Sequence, residues 1–312
     1  MIDIEIIENV PDIRVHSQNL NIREYSLITV DDEKSSTVSI NMKEHKEYQY
    51  LIFRIEGKNI AKGNYKLTIK FDNNFKLGSF TGFYKTSYKT INGDTKELVT
   101  TKFEPTYARQ AFPCFDESFF KATFEIKIIH PDNMIALSNE RVKSTFSLPS
   151  TGWNQTEFVK TPKISTYSVA YIVSEYVYTE TKTLRGIPVR VYSRPDQISK
   201  TTYAAEVAAN VLDYYEDYTG IPYSLSKLDL IGIPGFISGA MENWGLVTYK
   251  ENYILYDPSE SNFGNQRQVA SVISHELAHM VCYCLFYIKY FFFIFKIILV
   301  FFYHSGGAIL SL

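Results

Sequence analysis

The stretch Asn265–Met280 carries His275-Glu276-Leu277-Ala278-His279 near its end, and its spacing predicts a helix with both imidazoles on one face. Glu276 lies between them. Two imidazoles one turn apart with an adjacent carboxylate form the pattern by which a zinc hydrolase holds its metal and the base that activates water. Working upstream, Gly239-Ala240-Met241-Glu242-Asn243 falls between two predicted strands, Leu228–Ile233 and Gly245–Tyr249. Further back, Tyr203–Tyr218 reads as an amphipathic helix with Ala204, Val207, Val211, Leu212 and Tyr215 on one face. Gly220-Ile221-Pro222 is its stop signal.

Before Arg194-Pro195-Asp196 the texture is different. Short or alternating apolar runs at Ile2–Ile7, Tyr50–Ile55, Tyr65–Phe71, Ala122–Ile129 and Ile187–Tyr192 are separated by turn residues such as Asn73-Asn74 and Asn92-Gly93-Asp94. No helical period of useful length interrupts them. Residues 1–194 are therefore expected to form an all-β sandwich or saddle, with a boundary at the composition shift.

The bulk numbers exclude several classes. At 312 residues, 45% hydrophobic and 21% charged with net charge −2, the chain is globular and carries no basic stripe, so no nucleic-acid partner is expected. Cys114, Cys282 and Cys284 form no metal or disulfide framework. The start, Met1-Ile2-Asp3-Ile4-Glu5, is acidic where a signal peptide needs a basic start and an apolar core. Asn154-Gln155-Thr156 is a glycosylation sequon, of use only to a secreted chain.

Residues 281–312 form an apolar tail, expected to be helical. Val281–Tyr303 is long enough to cross ~30 Å of hydrocarbon. Its apolar residues contribute roughly −4.5 to −9 kcal/mol to insertion, against about +5 to +7 kcal/mol for Lys289 and Lys296 if they are central. Two readings stand side by side: a membrane span, and a read-through of A/T-rich intron sequence, since every residue of Leu285–Tyr303 except Val300 has a codon made only of A and T.

The paired motifs resemble the M1 family of zinc aminopeptidases, which combine a GxMEN loop with HExxH and, after eighteen intervening residues, a Glu. Phe103-Glu104-Pro105-Thr106-Tyr107-Ala108-Arg109, Phe112–Glu117, Thr161–Tyr167 and Pro188–Tyr192 resemble further signature segments of that family. The likeness covers about residues 1–280, and GAMEN points toward the aminopeptidase N branch. It implies a multidomain β plus α/β protein: the β domain, then the first part of a thermolysin-like zinc metallopeptidase domain over residues 195–280.

The resemblance assigns roles. His275 and His279 are expected to bind one Zn²⁺, and Glu276 to act as general base and then acid. Glu242, with Glu104 from the β domain, is expected to bind the α-ammonium of a peptide with a free N-terminus. Gly239 and Ala240 would offer close backbone contact to the substrate, and Met241 would pad the first side-chain pocket. The family's membrane anchor, or the apolar tail, would place the protein at the plasma membrane or its extracellular face; without an N-terminal anchor it would be cytoplasmic. Oligomeric state is not legible.

Two departures matter. Lys102 stands where relatives commonly have Gln, two residues before Glu104. The position of the third zinc ligand is Ile298, and no Asp or Glu follows Glu276. His304 matches no ligand spacing. The leading expectation is a zinc aminopeptidase represented by an incomplete, impaired chain. The alternative is a catalytically dead fragment that acts as a peptide- or partner-binding module.

Overall fold

The computed structural model describes residues 1–30, 35–75 and 78–287, with side chains through Met280. Residues 288–312, which hold most of the tail together with Ile298 and His304, lie outside the described residues. The chain divides into two compact units, Met1–Glu175 and Tyr176 onward. Among the described residues no helix is long and apolar enough to cross a membrane.

The first unit is β throughout, with only 3₁₀ turns between strands. Its strands are β1 (Ile2–Ile6), β2 (Ile13–His16), β3 (Asn21–Thr29), β4 (Thr37–Val38), β5 (Asn41–His45), β6 (Tyr50–Arg54), β7 (Gly63–Asp72), β8 (Gly82–Lys89), β9 (Thr95–Lys102), β10 (Lys127–Pro131), β11 (Ile135–Ser138), β12 (Val142–Leu148), β13 (Trp153–Phe158) and β14 (Tyr171–Ser174). They form sheets in the orders β1-β7-β3-β4, β2-β6-β5, β11-β14-β9-β8 and β10-β13-β12. The first two sheets close over Val15, Leu27, Leu51, Phe53 and Leu67, all fully buried. Each such side chain contributes about 1.5–3 kcal/mol by leaving water. Alternate residues of β2, β6 and β7 supply this layer, so the sandwich follows from the period of two in the sequence.

Three of the signature segments meet inside this unit. Asp116 is 1% exposed and accepts hydrogen bonds from Arg109 Nε at 2.9 Å and Thr166 Oγ1 at 2.7 Å. Its own N–H donates to His16 Nδ1 at 3.2 Å. Arg109 also donates to Gln49 Oε1 at 3.1 Å. A buried carboxylate needs this many donors, because leaving it unpaired in the interior is costly.

One expected strand is cut short. Ala122–Ile129 was expected to be continuous, but only Lys127–Pro131 pairs as a strand, and Ala122 makes an isolated bridge to Ile164. Between them the Phe124 and Ile126 carbonyls still accept from Thr161 and Phe158, but the bonds are too irregularly spaced to form a ladder.

The second unit adds β15 (Val177–Lys182), β16 (Pro188–Ser193), α1 (Thr202–Thr219), β17 (Leu228–Ile233), β18 (Ala240–Met241), β19 (Leu246–Lys250) and α2 (Phe263–Tyr287). Its sheet has the order β15-β16-β17-β19-β18, with β16-β17 and β17-β19 parallel. The compact units divide at Glu175, ahead of the composition shift at Arg194, and β15 and β16 hydrogen-bond into the sheet of the second unit. The six residues of β17 are all buried, as expected for a central parallel strand. Helix α1 ends where Gly220 takes φ 66°, a left-handed conformation glycine adopts without a Cβ penalty.

Candidate active site

Helix α2 sets the two histidines. It packs on α1, where Tyr215 Oη donates to the carbonyl of Ser274 at 3.0 Å and pins the turn that leads into His275. Val269, Ile273, Leu277 and Met280 form its buried stripe. His275 and His279 occupy another face, with ring centroids 5.0 Å apart and planes at 74°. Their Nε2 atoms stand 3.3 Å apart. Two imidazole nitrogens on a tetrahedral zinc, each ~2.0–2.1 Å from it, would be about 3.3–3.4 Å apart. The pair therefore fits two corners of such a site. Desolvation, aided by the charge of His279 and opposed by Glu242, holds His275 below its ordinary value of 6.5, which favours the neutral, metal-binding form.

A third donor is not assembled. Among the described residues no three His, Cys, Asp or Glu side chains converge on a metal position. Glu242 Oε1 lies 4.0 Å from His279 Nδ1, beyond hydrogen-bond reach. Glu276 is buried beside the histidines on the same helix.

The GAMEN residues sit at the sheet edge. β18 is only Ala240–Met241 and pairs with β19 as Ala240↔Tyr249 and Met241↔Thr248. Gly239 is exposed, and its carbonyl accepts from the Lys250 N–H at 2.9 Å. A Cβ there would stand 3.0 Å from Tyr253 Cε2, so a larger residue would need that ring to shift. Met241 is buried within the unit. Glu104 belongs to the first unit, just beyond β9, and accepts from Lys102 Nζ at 2.6 Å.

Sequence reasoning missed three residues here. Lys227 is 2% exposed, lies 2.8 Å from Asp229 and donates to the carbonyl of Gly245 at 2.6 Å. The Asp229 N–H reaches the same carbonyl at 3.1 Å. Together they fix the turn that follows Asn243. Tyr249 is fully buried, and burial, then the negative charge of Glu276, pushes its hydroxyl well above its ordinary range. The signal for Lys227 and Asp229 was present: ionisable residues within an apolar run must be paired.

Comparison with known proteins places both parts of the chain in one family. Residues 203–282, which hold both histidines and the edge-strand carboxylate, match the Peptidase family M1 domain, a class of metallopeptidase. Residues 1–168 match the Peptidase M1 N-terminal domain, and the chain belongs to the M1 family. It is 48% identical over 231 residues to aminopeptidase A of Gloydius brevicauda, covering 74% of this chain and 24% of that protein. It is 43% identical over 272 residues to endoplasmic reticulum aminopeptidase 2 of Homo sapiens, covering 85% and 28%. To glutamyl aminopeptidase of Rattus norvegicus it is 44% identical over 239 residues, covering 76% and 25%. The chain thus spans about a quarter of the length of these relatives.

Proposed function

We propose that the polypeptide to which this chain corresponds is a zinc aminopeptidase, and that these 312 residues alone are impaired because a third ligand is missing. The observation that carries the reading is the 3.3 Å separation of the His275 and His279 Nε2 atoms, which matches a shared tetrahedral ion. In a complete site these two imidazoles would hold Zn²⁺, whose chemistry when bound is to acidify a water and polarise the scissile carbonyl. Glu276 would accept the proton of the attacking water and return it to the departing amine. Glu242 and Glu104 would bind the α-ammonium of a peptide with a free N-terminus, giving charge-assisted hydrogen bonds that an internal amide cannot make.

The impairment follows from the donor set. Catalytic zinc sites take three protein ligands, and the sequence after Glu276 contains no carboxylate to be the third. The same observation supports a second reading, a catalytically silent peptide- or partner-binding module. Metal analysis of the purified 312-residue chain, with aminoacyl-amide assays with and without added zinc, tests both. Weak, substoichiometric zinc and negligible turnover are expected. Stoichiometric zinc with turnover abolished by His279→Ala would overturn the claim of impairment.

A further inference from the structure

The first unit contains a cleft of about 940 Å³ that none of the candidate site residues lines. Its far wall is apolar, with Phe71, Phe83, Phe112, Tyr171 and Val173. The near wall is the chain from Phe124 to Pro131, and every residue of that run lines the cleft. A strand that presented its face would contribute only alternate residues, so this one presents its edge.

The hydrogen bonding agrees. β10 is an edge strand of its sheet. Toward β13 and the segment after it, the backbone bonds are made by even-numbered residues: Phe158 N–H donates to the Ile126 carbonyl, and Thr161 N–H to the Phe124 carbonyl, each at 3.0 Å. The N–H and C=O groups of Thr123, Glu125, Lys127 and Ile129 therefore point the other way. Among the described residues they have no backbone partner. Such a row is a template for one more strand.

Charge narrows the occupant. The charged side chains that line the cleft are already paired: Lys85 with Glu97 at 3.0 Å, Lys127 with Glu157 at 2.7 Å, and Glu125 with Lys160 at 2.9 Å. Among the described residues no lysine or arginine that lines the cleft lacks a carboxylate partner for a fatty-acid carboxylate or a lipid headgroup to replace. A neutral ligand with donors and acceptors at strand spacing and apolar groups on one side matches both walls.

We propose that this cleft is a strand-acceptor site: it binds an extended peptide with apolar residues at alternate positions, which adds to the free edge of Thr123–Ile129. Binding of a fluorescein-labelled octapeptide of alternating Thr and Val to the 312-residue chain, followed by anisotropy, tests this. Saturable binding is expected, with at least a tenfold loss when the peptide amides that face the edge are N-methylated, since side chains are kept and strand bonds removed. The amides of Lys127 and Ile129 should gain hydrogen-exchange protection in the complex. Ile129→Pro removes one outward N–H without touching the β13 pairing and should also weaken binding at least tenfold; should that variant misfold, the exchange measurement decides alone. Equal affinity for the methylated peptide, tighter saturable binding of oleate, or self-association of the chain that excludes the peptide would each overturn the proposal.

Discussion

Lys102 donates its ammonium to Glu104 at 2.6 Å, from a side chain that is 6% exposed to one that is 48% exposed. The carboxylate assigned by family likeness to a substrate's α-ammonium already has an ammonium on it. Any peptide that uses Glu104 must share or displace this contact. Lys102→Gln in the longer polypeptide should therefore raise kcat/KM for peptides with neutral N-terminal residues by about five- to tenfold, mostly through KM. Steady-state kinetics on an alanyl substrate checks this, and an unchanged KM would remove Glu104 from the recognition site.

Glu276 shares α2 with the two imidazoles but is assigned proton transfer, not metal binding. In the longer polypeptide Glu276→Gln should keep stoichiometric zinc and lower kcat by roughly 10²–10⁴. Metal content measured beside turnover separates the roles; loss of zinc would make Glu276 a ligand.

Asp116 gathers Arg109, Thr166 and His16 in the interior. Asp116→Ala leaves the partly buried Arg109 guanidinium without its carboxylate and should destabilise the first unit by about 2–4 kcal/mol. Lys70→Ala, which removes an exposed partner of Glu24, should cost at most about 1 kcal/mol. Chemical denaturation of both variants gives the comparison, and similar losses would mean that the Asp116 network does not carry the fold.

His16 supplies a pH dependence. Burial, then the charge of Arg109, lowers its pKa from 6.5 against the opposing pull of Asp116 and Glu117. The unfolded chain then binds more protons than the folded one between the lowered value and 6.5, so stability rises with pH across that window and falls as pH drops through it. Thermal melts from pH 7 to pH 5 should show a falling Tm, and His16→Gln should flatten the slope. A parallel slope in the variant would assign the effect to other groups.

The division at Glu175 predicts that residues 1–175 unfold cooperatively on their own. Extending the fragment to 194 should add no stability, because β15 and β16 would be cut from β17. A higher Tm for the longer fragment would contradict this.

Much of this was legible because the signals are local. The apolar face of Tyr203–Tyr218 with its Gly220 stop, and the unbroken run of β17, need no knowledge of distant residues. The histidine face of α2 follows from i, i+4 spacing alone. What failed depended on partners far along the chain. Ala122–Ile129 alternates as a strand should, but how far it pairs is decided by Trp153–Ile164. Pro188–Tyr192 looks like any other strand in the sequence, and only its parallel pairing with Leu228–Ile231 ties it to the second unit. The Lys102–Glu104 contact could not be read, since it depends on where the two side chains turn at the end of β9.

The sealed ammonium of Lys227 has a practical consequence. At 2% exposure, between Asp229 and the Gly245 carbonyl, it is out of reach of acylating reagents while the parallel strands stay closed. Exposed lysines such as Lys70 react at once, so the lag before Lys227 is labelled clocks the opening of β17 from the turn that carries the GAMEN motif. The protein thus carries an intrinsic chemical timer for the integrity of the scaffold under its candidate site, readable by mass spectrometry of the acylated chain.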